Sequence, residues 1–100
     1  MSGPRTVDPE HEVTRQEINR RLTDALAPVE LSVEDHSWKH VGHAGAASGG
    51  GHFHVTIVTE AFAGKPLLER HRAINEALAD LFGPKIHALK LSTRAPGEGR

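Results

Sequence analysis

Two alternating segments on either side of a glycine-rich stretch constrain this chain more than any other feature. Val29, Leu31 and Val33 alternate with Glu30, Ser32 and Glu34; Phe53, Val55 and Ile57 alternate with His52, His54 and Thr56. A period of two sends successive side chains to opposite faces, so each segment reads as a half-buried strand, one over about 29–38 and one over 52–59. Residues 39–51 between them hold five of the ten glycines and have no apolar periodicity. That composition predicts a mobile loop, and two strands so joined predict an antiparallel hairpin.

Helical spacing flanks the hairpin. Thr14-Arg-Gln-Glu17 fits a capping box, with Val13 and Ile18 at staple positions. Ile18, Leu22, Ala25 and Leu26 then recur at intervals of three and four. Pro28 pushes its predecessor out of the helical region, which predicts a helix over about 14–27. Beyond the turn Phe62–Pro66, the residues Leu67, His71, Ile74, Leu78, Leu81 and Phe82 mark the buried stripe of a second helix. Pro66 suits its first position and Gly83-Pro84 its end. Ile86 to Ser92 predicts a third strand. Residues 1–12, with Pro4 and Pro9, and residues 94–100 read as flexible tails around a domain spanning 13–93. The order is αββαβ. A right-handed crossover makes the last strand parallel to the second and gives a three-stranded mixed sheet with both helices on one face, an α+β two-layer domain.

Several function classes are excluded by composition. The 100 residues include no Cys, which removes disulfide scaffolds, thiol nucleophiles and all-thiolate metal sites. A net charge of −1 does not announce a nucleic acid or a membrane. Neither the apolar core of a secretion signal nor a membrane-length apolar run is present, so the expectation is a soluble cytoplasmic protein without a membrane partner. G-x-S-x-G, G-x-x-x-x-G-K-[ST] and G-x-G-x-x-G are all missing, and the chain is not expected to be an enzyme.

The chemistry left to such a chain is imidazole, and it has eight histidines. His11 falls in the expected tail and His36 on the polar side of the first strand. His52 and His54 share a strand face and could bind a metal together. His40 and His43 lie in or beside the glycine-rich stretch, where a side chain is accessible. His71 falls on the apolar stripe of the second helix, the position of a core-edge histidine. His87 opens the third strand, either as a strand-end polar residue or as a ligand. Lys65, Arg70 and Arg72 gather around His71 at the start of the second helix, which is a generic anion site or simply a solvated face. The four aromatic residues Trp38, Phe53, Phe62 and Phe82 offer no stacking platform for single-stranded nucleic acid.

The ordered set Leu31-x-Val-x-Asp-x-Ser37-x-x-His40, Gly42-His-Ala-Gly45, His52-Phe-x-Val-x-Ile-Val58, Phe62-x-Gly64, Arg70-His-Arg72 and Ile86-His-Ala-Leu89 resembles the BolA family. The resemblance covers about residues 14–95. It implies a non-catalytic partner of a monothiol glutaredoxin. The two proteins form a heterodimer that binds a two-iron two-sulfur cluster, in iron–sulfur assembly, trafficking or iron homeostasis. The glutaredoxin Cys and a glutathione thiol would hold one iron, and this chain, a monomer with no cofactor of its own, would hold the other. Carried over by motif, its ligands are His40 and His87, with His43 in reserve, and His71 supports the fold or the partner surface.

The chain departs from the family at His36, where Glu is usual in the Asp-Glu-Ser element, and at Gly51, where Thr often precedes His-Phe. Exchanging two thiolates for two neutral imidazoles makes such a cluster easier to reduce, as in Rieske centres. Protons compete for imidazole, so the mixed complex should weaken as pH falls through about 6.5, the ordinary imidazole value. The αββαβ order also resembles a type II KH domain, and some BolA-like proteins are described as transcription regulators. Phe62-Ala-Gly-Lys65 stands where a KH domain has its G-x-x-G loop, but with one glycine. DNA binding through Lys65, Arg70, His71 and Arg72 is therefore the rival expectation. A third, a histidine-based metal binder acting alone, predicts tight zinc or iron binding by the isolated chain.

Overall fold

The computed structural model describes residues 9–37 and 50–98. Helix α1 spans Pro9–Leu26 and strand β1 Glu30–Asp35. Strand β2 spans Gly51–Val58, helix α2 Leu67–Ala77 and strand β3 Ile86–Arg94. Single 3-10 turns at Glu60–Phe62 and Ala79–Leu81 flank α2. The sheet order is β1-β2-β3, with β1 antiparallel and β3 parallel to β2. The αββαβ order and the mixed three-stranded α+β sheet are those the sequence predicts.

Alternation in β2 works as expected. Phe53, Val55 and Ile57 are buried, and His52, His54 and Thr56 look out on the other face. Register sets Val33 against Val55 and Leu31 against Ile57, so the apolar side of β1 meets the same core. Ile18 and Leu22 from α1 and Ile74 and Leu78 from α2 complete that core, each fully buried. Each such side chain contributes up to about 1.5–3 kcal/mol through apolar surface removed from water. One sheet face is therefore covered and the other left to solvent.

Several local expectations are corrected. Helix α1 begins at Pro9 rather than at 14, so residues 9–12 of the expected tail are helical. Thr14 is not a cap: it lies inside the helix, 4% exposed, and its hydroxyl donates to the Glu10 carbonyl at 3.0 Å. Glu10 and Glu12 in the first turn favour the helix dipole, and Glu12 accepts from Arg15 at 2.7 Å and from Gln16 at 3.0 Å. His11, expected in the tail, is half-buried with its ring edge-on to Phe53 at 6.2 Å.

Leu67 is 60% exposed, and the buried side of α2 starts instead at Arg70. The helix stops at Ala77, and the following 3-10 turn carries Leu81 into the core. At the far end, β3 continues to Arg94, Ala95 is buried, and the segment expected to be flexible from 94 is held as far as Glu98. The Arg70 guanidinium donates to both Glu98 oxygens at 2.8 and 2.6 Å, and the Ala95 amide donates to Oε1 at 3.0 Å.

An imidazole-bearing sheet face as the candidate site

The uncovered face of the sheet collects His52 and His54 from β2, His87 from β3 and His36 from just past β1. Register places Glu34 opposite His54 and Asp35 opposite Phe53, and the His36 amide donates to the His52 carbonyl at 2.7 Å. His36 Nε2 donates to Glu34 Oε1 at 2.9 Å, and the same oxygen lies 4.0 Å from His54 Nδ1. His54 Nε2 is 3.0 Å from Ser92 Oγ, on β3.

His87 joins this face through an irregularity in the parallel ladder. Gly51 pairs with Ile86, but the next residue, His52, pairs with Ala88, so His87 is the extra residue of a bulge. Ile86 is buried, His87 is exposed, and the His87 ring lies 5.0 Å from that of His52. Glycine is required beside it. A Cβ on Gly50 would come within 3.0 Å of the His87 backbone nitrogen. A Cβ on Gly51 would come within 2.5 Å of the buried Phe53 ring and 3.2 Å of Ser37 Oγ. A threonine at 51, as the resemblance leads one to expect, would press on the Phe53 ring; glycine and the position of that ring go together.

Ser37 and Gly50, the described residues on either side of 38–49, both lie at this edge. Asp35 Oδ1 accepts the Ser37 amide at 2.8 Å, and Ser37 Oγ accepts the His52 amide at 2.9 Å. Gly50 packs on His87. His40 and His43 themselves lie outside the described residues.

The expected basic surface is only partly present. Lys65 and Arg72 are exposed at the start of α2, and they share a shallow groove with Glu69 and Glu76, whose charges offset theirs. Arg70 is not presented there. It is 9% exposed, its Nε donates to the Lys65 carbonyl at 2.8 Å, and it sits over the Phe62 ring. The Arg70 guanidinium holds the Glu98 carboxyl down at about 2, with help from the Ala95 amide. His71 is half-buried, and its Nε2 has no hydrogen-bond partner among the described residues.

These features define a class: a small α+β domain with one helical layer over a mixed sheet, whose open face carries imidazole and carboxylate. A family model for BolA-like proteins matches residues 22–98. The DNA-binding transcriptional regulator BolA of Escherichia coli is 40% identical over 79 residues, 79% of this chain and 72% of that one. SufE-like protein 1, chloroplastic/mitochondrial, of Arabidopsis thaliana is 42% identical over 86 residues, 81% of this chain but 23% of that one, so the likeness there is to one part of a longer protein. The solved BolA domain of SufE1 from Arabidopsis superposes with a TM-score of 0.76 at 36% identity, covering 94% of this chain and all of that one. The chain belongs to the BolA family.

The E. coli relative is named as a regulator rather than an enzyme. Among the described residues, no helix is long and apolar enough to cross a membrane. The relatives include chloroplast, mitochondrial and bacterial proteins.

Proposed function

We propose that this chain is the partner of a monothiol glutaredoxin and co-ligates a two-iron two-sulfur cluster, with His87 as its ligand from the sheet and His40, or His43 in reserve, as its ligand from the segment 38–49. The observation that carries the reading is the exposed His87 imidazole on the β2–β3 bulge, beside His52, at the edge where Ser37 and Gly50, the described residues on either side of that segment, both lie.

His40 is three positions along the chain from Ser37, and His43 six. The donor set suits the group: the chain offers neutral nitrogen ligands and, with no Cys, leaves every thiolate to the glutaredoxin and glutathione. When bound, a cluster with two imidazole ligands is easier to reduce than its all-thiolate counterpart. The residues of this chain would set the orientation of His87, which is held at the bulge with its backbone close against Gly50. Anaerobic mixing with a cluster-loaded monothiol glutaredoxin tests the reading, which requires co-elution of the two proteins with the cluster.

A second reading has one specific support. The E. coli relative is named a DNA-binding transcriptional regulator, and Lys65 and Arg72 are exposed at the start of α2, where a KH-like domain meets its ligand. Glu69 and Glu76 in the same groove, and the withdrawal of Arg70 into its pair with Glu98, weaken it. Duplex-DNA titration against salt separates the two readings.

A further inference from the structure

On the open sheet face, away from His87, Glu34, His36 and His54 bring three ligand atoms within 4.8 Å of one another. Two imidazoles and one carboxylate on a shared face are a zinc-type donor set, with a fourth position open to water. Ligand atoms about 2.0–2.1 Å from a tetrahedral zinc lie ~3.4 Å apart. The observed 2.9 Å from His36 Nε2 to Glu34 Oε1 and 4.0 Å from His54 Nδ1 to the same oxygen bracket that spacing.

Two further features favour binding. Glu34 and His54 are register partners across β1 and β2, and His36, one residue past β1, is held to β2 by its amide bond to the His52 carbonyl at 2.7 Å, so the backbone places all three residues. Ser92 Oγ engages His54 Nε2 at 3.0 Å, which leaves Nδ1 as the nitrogen facing the carboxylate. A hydrogen bond to the far ring nitrogen is what orients histidine ligands in metal sites. His36 and His54 are 27% and 22% exposed, so both are held against the sheet yet open to an ion.

We infer that Glu34, His36 and His54 form a binding site for a divalent cation of the zinc class, distinct from the His87 edge. The site is the isolated chain's own, needs no glutaredoxin, and does not depend on the cluster reading.

The experiment titrates the purified full chain with Zn2+ by calorimetry and with Co2+ by visible absorption, as a reporter of coordination. One ion binds per chain, and His36→Ala and His54→Ala each weaken binding roughly tenfold or more. Ser92→Ala, which removes only the hydroxyl that orients His54, weakens it by less than either histidine variant. Imidazole NMR signals of the unmodified protein check the site without any substitution: His36 and His54 shift with the first equivalent of Zn2+. Retained binding in both histidine variants overturns the inference. So does a first equivalent that shifts His52 and His87 while leaving His36 and His54 in place.

Discussion

The imidazole rings of His52 and His87 lie 5.0 Å apart, tilted by 46°, across the point where the β2–β3 ladder slips by one residue. The slip leaves His87 as the exposed residue without a ladder partner, and the glycines at 50 and 51 sit where an added Cβ would crowd His87 and Phe53.

That dependence predicts the outcome of Gly51→Ala. The added Cβ lands 2.5 Å from a ring that is itself 2% exposed and cannot swing into solvent. Overpacking of this kind costs about 1–3 kcal/mol. Urea unfolding should show a lowered midpoint with an unchanged slope, and the His87 imidazole NMR signals should move.

The Arg70–Glu98 pair predicts an acid transition confined to the C-terminal segment. Glu98 is held at about 2, below the ordinary 4.5, first by its hydrogen bonds to Arg70 and then by the Ala95 amide. A depressed carboxylate contributes stability that is complete above the unfolded value and is lost as pH falls from about 4.5 through about 2. The Ala95 amide resonance should therefore titrate near the lower value. In Glu98→Gln it should already sit at its acid position at neutral pH, with the sheet intact.

Ala27 ends α1 in the left-handed region at φ 45°, where a Cβ is strained. Ala27→Gly relieves the strain at some cost in unfolded-chain entropy, and the balance should stabilise the protein by about 0.5–1 kcal/mol. Thermal unfolding at matched concentration measures it.

If the start of α2 bound duplex DNA, affinity would fall steeply with salt, and Lys65→Ala and Arg72→Ala would each lower the logarithmic salt slope by about 0.9. The cluster reading predicts that neither substitution changes that slope measurably. Fluorescence anisotropy across a salt series decides.

Much of the fold is legible in local sequence because it follows from local periodicity. The alternation of Phe53, Val55 and Ile57 placed β2 and its buried side, and Ile18, Leu22 and Ile74 are core residues at helical spacing. Where polar residues do the work, periodicity misleads. Thr14 and Glu17 imitate a helix start, yet the helix runs back to Pro9 on charge pairs that carry no apolar signal. Arg70 looks like a surface cation until Glu98, 28 residues later, is seen to hold it. The candidate site is less legible for the same reason. Motif resemblance picks out His87, but its approach to His52 and the meeting of His36 with His54 depend on how the strands pair across the sheet. Neither is written in any single segment.

The proposed role of His87 is to enter the coordination of a cluster shared with a monothiol glutaredoxin. Visible circular dichroism of a cluster-loaded glutaredoxin, recorded anaerobically before and after one equivalent of this protein, tests it most directly. Ligation by His87 predicts a new spectrum with the wild-type chain and the unaltered glutaredoxin spectrum with a folded His87→Ala variant. An unchanged spectrum with the wild-type chain, or the same new spectrum with the variant, would contradict it.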